Sequence, residues 1–289
     1  MAWLGVRERS APAGSVGEPG CPEHFFYRHR GIESTGVSFD SELYSRIGSG
    51  GNVKALYVLL AAALWSGSSA SEAAPQTVKI GSSVVTLDSP PEYVDFCGVD
   101  KDAAKLFPSF IPQDNALLSC YTTPTDLKEW KNNEGGVFRS YLIATVMKGT
   151  INRTMSLNDL RAFRAQMAAS LDTLYTQLEP QIRKQIDKTS ATVSKEMGTA
   201  VSTKVESVTP VGIFDTNEAS FSTVWITTSN HKVSNATISD TQVQVSSIVL
   251  VKGKALVLFT YGRFDTPEDV EMYKAVARAW VAKVQSENT

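Results

Sequence analysis

The stretch SSIVLVKGKALVLFTYGRFDTPEDVEMYKAVARAWVAKV, residues 246–284, decides the fold of this chain. Two apolar, β-branched runs, 241–251 and 255–261, flank Lys252-Gly253-Lys254, and the glycine suits a tight hairpin. So short a connection makes its two strands antiparallel neighbours. Thr266 then stands at a helix N-cap position, with Pro267 at the first helical position and Asp269 completing a capping box. Val270, Tyr273, Ala277, Trp280, Val281 and Val284 follow along one broad face, which predicts a closing helix docked on the sheet.

Working outward, runs 204–214 and 220–228 predict two further strands, joined by turns at 215–218 and 229–239. The second turn contains His231, and Trp225 lies in a strand apolar on both faces, which reads as a central core strand. Upstream, Ser156 and Asp159 open a long helix whose stripe is Leu157, Leu160, Phe163, Met167, Leu171, Leu174, Leu178, Ile182 and Ile186. Pro180 is expected to kink that helix or divide it in two. Earlier still, 76–80 and 83–87 form a small hairpin or one interrupted strand around Gly81-Ser82. A short helix over 100–107, a strand at 115–122, a helical turn at 125–130 and a strand at 137–148 complete the order. The whole reads as α+β: an antiparallel β-sheet covered by helices.

This layout resembles the Mog1/PsbP-like α/β/α sandwich group, including its secreted bacterial members. The likeness is clearest over 246–284 and extends more loosely back to about Gln76. The resemblance implies an accessory or assembly role in place of catalysis. The paired helical segment 156–197 and the loop between the two later cysteines go beyond the family pattern.

An address precedes this domain. Within 53–73, VKALYVLLAAALWSGSSASEA, Lys54 supplies a positive start, 55–65 an uncharged apolar run, and 66–73 small residues, as in a secretory signal peptide. The apolar run is about half the roughly twenty residues a bilayer span needs, so no stable membrane insertion is expected after cleavage. Ala70 and Ala73 are the two candidate cleavage positions, so the working chain is expected to start at Ser71 or Ala74. Residues 1–52 mix Pro, Gly, Ser and Arg without periodicity and read as a disordered or mis-assigned extension. A GTG codon at Val53 would initiate the chain as MKALYVLL. The division is therefore 1–52 extension, 53–73 signal peptide and 74–289 a single α+β domain.

The formal net charge of −2 at pH 7 offers no field for nucleic acid. Cys97 and Cys120 remain after the leader, and an exported chain permits a bridge between them. That bridge would contribute about 3 kcal/mol on chain-entropy grounds. Of three histidines only His231 lies beyond the leader, which leaves no basis for a Ser-His-acid triad or a His/Cys metal site. No phosphate loop, nucleophile elbow or zinc-protease motif occurs, and no cofactor or metal is expected. Asp100 with Asp102, and Glu268, Asp269 and Glu271, are acids better explained by solvation and by the helix dipole. The leading expectation is an exported, periplasmic or secreted, non-catalytic accessory protein that binds an envelope partner. A carrier of a small apolar ligand between long helix and sheet, and a hydrolase using carboxylates, are the alternatives.

Overall fold

The computed structural model describes residues 75–132, 138–197, 200–233 and 236–289. The leader at 53–73, its candidate cleavage positions Ala70 and Ala73, and the extension 1–52 lie outside the described residues. β1 (Gln76–Ile80) and β2 (Ser83–Leu87) form a separate antiparallel hairpin. β3 (Val94–Asp95), α1 (Lys101–Leu106), a 3-10 turn (Phe107–Ser109), β4 (Asn115–Thr122), α2 (Pro124–Lys131) and β5 (Ser140–Met147) come next. α3 (Leu157–Met197) leads into the meander β6 (Val201–Asn217), β7 (Ser220–Val233), β8 (Ala236–Val251) and β9 (Lys254–Arg263), and α4 (Pro267–Ser286) closes the chain. The second sheet has seven strands in the order β3-β4-β5-β9-β8-β7-β6, every neighbouring pair antiparallel. The fold is α+β.

The β8–β9 hairpin has a two-residue loop in which Lys252 (φ 46) and Gly253 (φ 74) both take positive φ, matching the right-handed twist of the strands. A Cβ at Gly253 would stand 2.7 Å from Thr154, so the loop also needs glycine for room. Alternation along β5, β8 and β9 sends Leu142, Ala144, Val146, Val243, Val245, Val249, Leu256 and Leu258 into the core with α4. Helix α4 supplies Val270, Tyr273, Ala277, Trp280, Val281 and Val284. Its capping box forms as expected, Asp269 Oδ2 accepting the N–H groups of Asp265 and Thr266.

The β1–β2 hairpin is tied to the far end of the chain. Ile80, Val85 and Leu87 join the same core, and Trp280 Nε1 donates to Asp88 O at 2.9 Å. Asn288 accepts from Thr86 N (2.9 Å) and donates to Thr86 O (2.7 Å), acting as one more residue of sheet on the outer edge of β2.

The opposite side of the sheet carries a second core. Phe96, Ala103, Phe107 and Ile111 pack on Cys120 and Ile143, with Leu127 and Trp130 of α2 beside them. A disulfide joins Cys97 to Cys120 with their Cα atoms 5.4 Å apart, and both Phe96 N and Cys97 N donate to Cys120 O. Helices thus lie on both sides of the sheet.

Three expectations need correction. Of the two outcomes expected at Pro180, division of the long helix does not occur: α3 runs through it for 41 residues. His231 lies in β7, not in a turn, because β7 and β8 continue to Val233 and from Ala236, with His231 in register with Ile238 and Thr203. β5 begins at Ser140, because the N–H groups of Arg139 and Ser140 are drawn to the buried Asp126 carboxylate, which stops the strand there.

Candidate functional site

The burial of β9 alternates along its length. Lys254, Leu256, Leu258, Thr260 and Gly262 are buried, while Ala255, Val257, Phe259 and Tyr261 are only half-buried. One face is sealed by α4 and the other is left partly open. On the open face, Tyr141 pairs in register with Tyr261, Tyr261 with Gln244, and Gln244 with Trp225, a row across four strands. Tyr141 and Tyr261 stack with ring centroids 4.6 Å apart, and Phe259 lies parallel to Tyr261 at 6.0 Å. Burial holds both phenols in the neutral form, pushing the pKa of Tyr141 and of Tyr261 well above the ordinary tyrosine value. Trp225 is half-buried, not a core residue, and its Nε1 donates to Thr223 Oγ1 at 3.1 Å.

This face runs between two flanking structures. On one side stands the lobe built from α1, the 3-10 turn and α2, where Trp130 stacks on Phe138 at 5.5 Å. On the other, α3 lies along β6, beginning at a Phe163–Phe221 contact of 5.8 Å. The stripe residues Phe163, Met167, Leu171, Leu174, Ile182 and Ile186 are each half-buried. Toward its end α3 is fastened by Ser194 Oγ, which accepts from Val201 N and donates to Val201 O. A cleft of about 480 Å³ lies where α3 meets β6 to β8, with Ile182, Ile186 and Val205 beside Arg183, Lys204, Glu206 and Lys232. The space between helix and sheet on this side is thus an open cleft with charged walls.

The singled-out acids and His231 have structural tasks. Asp100 caps α1, accepting from Asp102 N and Ala103 N, and also accepts from Trp130 Nε1 at 3.2 Å. Asp102 pairs with Lys105 at 3.6 Å. The Thr266 and Asp265 N–H groups hold the Asp269 carboxyl below its ordinary pKa, and Lys274 does the same for Glu271 from 2.7 Å. His231 Nδ1 lies 3.1 Å from Thr203 Oγ1 on the neighbouring strand. Among the described residues, no group of three or more His, Cys, Asp or Glu side chains is placed to hold a metal, and no helix is long and apolar enough to cross a membrane.

Sequence reasoning missed three buried polar anchors. Asp126 is buried between α2 and β5, and its Oδ2 accepts from Arg139 N (3.0 Å) and Ser140 N (3.2 Å). Ser140 Oγ in turn shares a 2.6 Å hydrogen bond with Tyr93 OH, whose pKa burial raises to about 12. Lys254, read only as a turn residue, buries its ammonium and donates to Ile151 O and Arg153 O, both at 2.9 Å. Nothing local in the sequence signals these anchors, because their partners lie on other elements.

No protein-family model matches this chain, and no curated protein does. Among solved structures, the Ran-binding protein Mog1p of Saccharomyces cerevisiae is similar at 12% identity. The match covers 74% of this chain and 92% of that one, with a TM-score of 0.26. The likeness is a weak one of fold and carries nothing about function.

Proposed function

We propose that this protein is an exported, non-catalytic binding protein of the bacterial cell envelope, and that it meets its partner on the half-open aromatic face of the sheet. The observation that carries this reading is the asymmetry of β9, sealed toward α4 and left half-buried at Val257, Phe259 and Tyr261. Partly buried rings held in fixed stacks offer contact area at little cost in side-chain freedom. Two further observations support it. The Cys97–Cys120 bridge suits an oxidising compartment, and the leader-like segment 53–73 supplies a route to one.

The test has two parts. The mature protein is recovered from the periplasm or medium of its native host, and its intact mass and N-terminus are determined with and without reductant. A start at Ser71 or Ala74, with two hydrogens gained on reduction, is expected; a cytoplasmic protein with free thiols would overturn the export reading. The Phe259→Ala/Tyr261→Ala protein, folded as judged by circular dichroism, is then compared with wild type for capture from envelope extracts. Equal capture by both would remove the aromatic face from the proposal.

A further inference from the structure

The disulfide and the long helix are connected through one short piece of backbone. Cys97 and Cys120 anchor the lobe of residues 96–113 to β4. The exposed end of that lobe is where α3 makes its side-chain hydrogen bonds to it. Gln185 Nε2 donates to Ser109 O (3.1 Å) and to Ile111 O (3.0 Å), and Thr189 Oγ1 donates to Ser109 O at 2.6 Å. Lys188 Nζ reaches Gln113 Oε1 at 3.5 Å. Between bridge and helix, Asp100 caps α1 and accepts from Trp130 Nε1, which ties α1 to α2. The stripe of α3 is only half-buried here, at Ile182 and Ile186, and among the described residues beyond them Val193 is the buried one. The second half of α3 is therefore seated by these hydrogen bonds to the lobe as well as by its partly buried contact with β6.

We infer that the Cys97–Cys120 bridge is a redox-sensitive latch: closed, it holds the lobe that seats the second half of α3, and opened, it releases that half-helix. This does not depend on the export reading. Opening requires a dithiol donor. One donor thiolate attacks Sγ of Cys97, the less buried sulfur; the S–S bond breaks and Cys120 leaves as a thiolate that takes up a proton. The second donor thiol then displaces Cys97 from the mixed disulfide. The donor ends as a disulfide, and two electrons and two protons have passed to the cysteine pair. Release bares Ile182, Ile186 and the flanking cleft.

Hydrogen exchange of the full chain, oxidised and then reduced with a small dithiol, tests this. Free thiols are confirmed by mass. Reduction is expected to speed amide exchange across residues 181–195 by at least about tenfold while leaving α4 unchanged. The oxidised Gln185→Ala/Thr189→Val protein is expected to show the same local acceleration with its disulfide intact. Unchanged exchange in α3 after reduction would overturn the latch. So would equal acceleration in α4, since the bridge would then be a global staple. A Gln185→Ala/Thr189→Val protein that exchanges like wild type would show that the lobe does not seat the helix.

Discussion

Replacing Asn288, the penultimate residue, with alanine tests whether the two ends of the domain hold each other. The Asn288 side chain makes three hydrogen bonds: from Thr86 N at 2.9 Å, to Thr86 O at 2.7 Å and to Val284 O at 2.7 Å. At roughly 0.5–1.5 kcal/mol each, their removal is expected to cost about 2–4 kcal/mol, the upper part arising if the two Thr86 groups stay dry. In a domain of this size that lowers Tm by about 6–12 °C. Asn288→Asp keeps the acceptor for Thr86 N but sets a carboxylate against two carbonyl oxygens, so it is expected to be no more stable than the alanine variant. Urea unfolding of the oxidised protein, followed by circular dichroism, measures both, with an unchanged m-value showing that the same structure unfolds. An alanine variant within about 0.5 kcal/mol of wild type would refute the argument, because the hairpin would then be held by its apolar side chains and its other hydrogen bonds without Asn288.

Other predictions follow the same logic. Trp280→Ala removes a fully buried ring that meets Tyr121 edge-on at 6.0 Å and leaves Asp88 O unpaired, with an expected loss of about 4–6 kcal/mol by urea unfolding. Asp126→Ala leaves Arg139 N and Ser140 N unpaired and is expected to cost about 2–3 kcal/mol by the same measurement, whereas Asp126→Asn keeps an acceptor and should cost less. Burial raises Tyr93 and Tyr121 to about 12, above the value for an unfolded chain, so their contribution is complete below pH 10 and lost as pH rises through about 12. Ultraviolet titration should show these phenols ionising late, as the fold is lost. Asp269 is shifted the other way, so its contribution is present above the ordinary carboxylate range and lost as pH falls through its depressed pKa; Asp269→Asn should flatten the acid limb of the stability curve.

The elements with local causes were legible in the sequence. Thr266, Pro267 and Asp269 mark the start of α4, and Lys252-Gly253 marks the β8–β9 turn, because capping and positive φ are settled within four residues. The alternation in 255–261 revealed a strand but not which of its faces is sealed, since that depends on where α4 lies. His231 was misplaced because polar Ser229, Asn230 and Lys232 look like a turn, whereas pairing on both sides keeps them in strand. Pro180 does not end α3, because the long helix on either side tolerates one missing N–H. The tasks of Lys254 and Asn288 were unreadable, since Lys254 reaches backbone carbonyls and Asn288 the Thr86 backbone more than a hundred residues away. The aromatic face was hidden for a related reason: Tyr141 and Trp225 meet only through the register of β9 and β8.

The placement of β5 next to β9 has a consequence for how the protein comes into being. Ser140 and Tyr261, bonded in the centre of the sheet, are 121 residues apart, and Thr86 waits for a residue 202 positions later. A chain emerging from the ribosome in order can make the β1–β2 hairpin early, but Ile80, Val85 and Leu87 have no core to join until the last strand and helix have appeared. Until then the two ends of the domain have nothing to close on, so its larger core is sealed only when the last helix has been made.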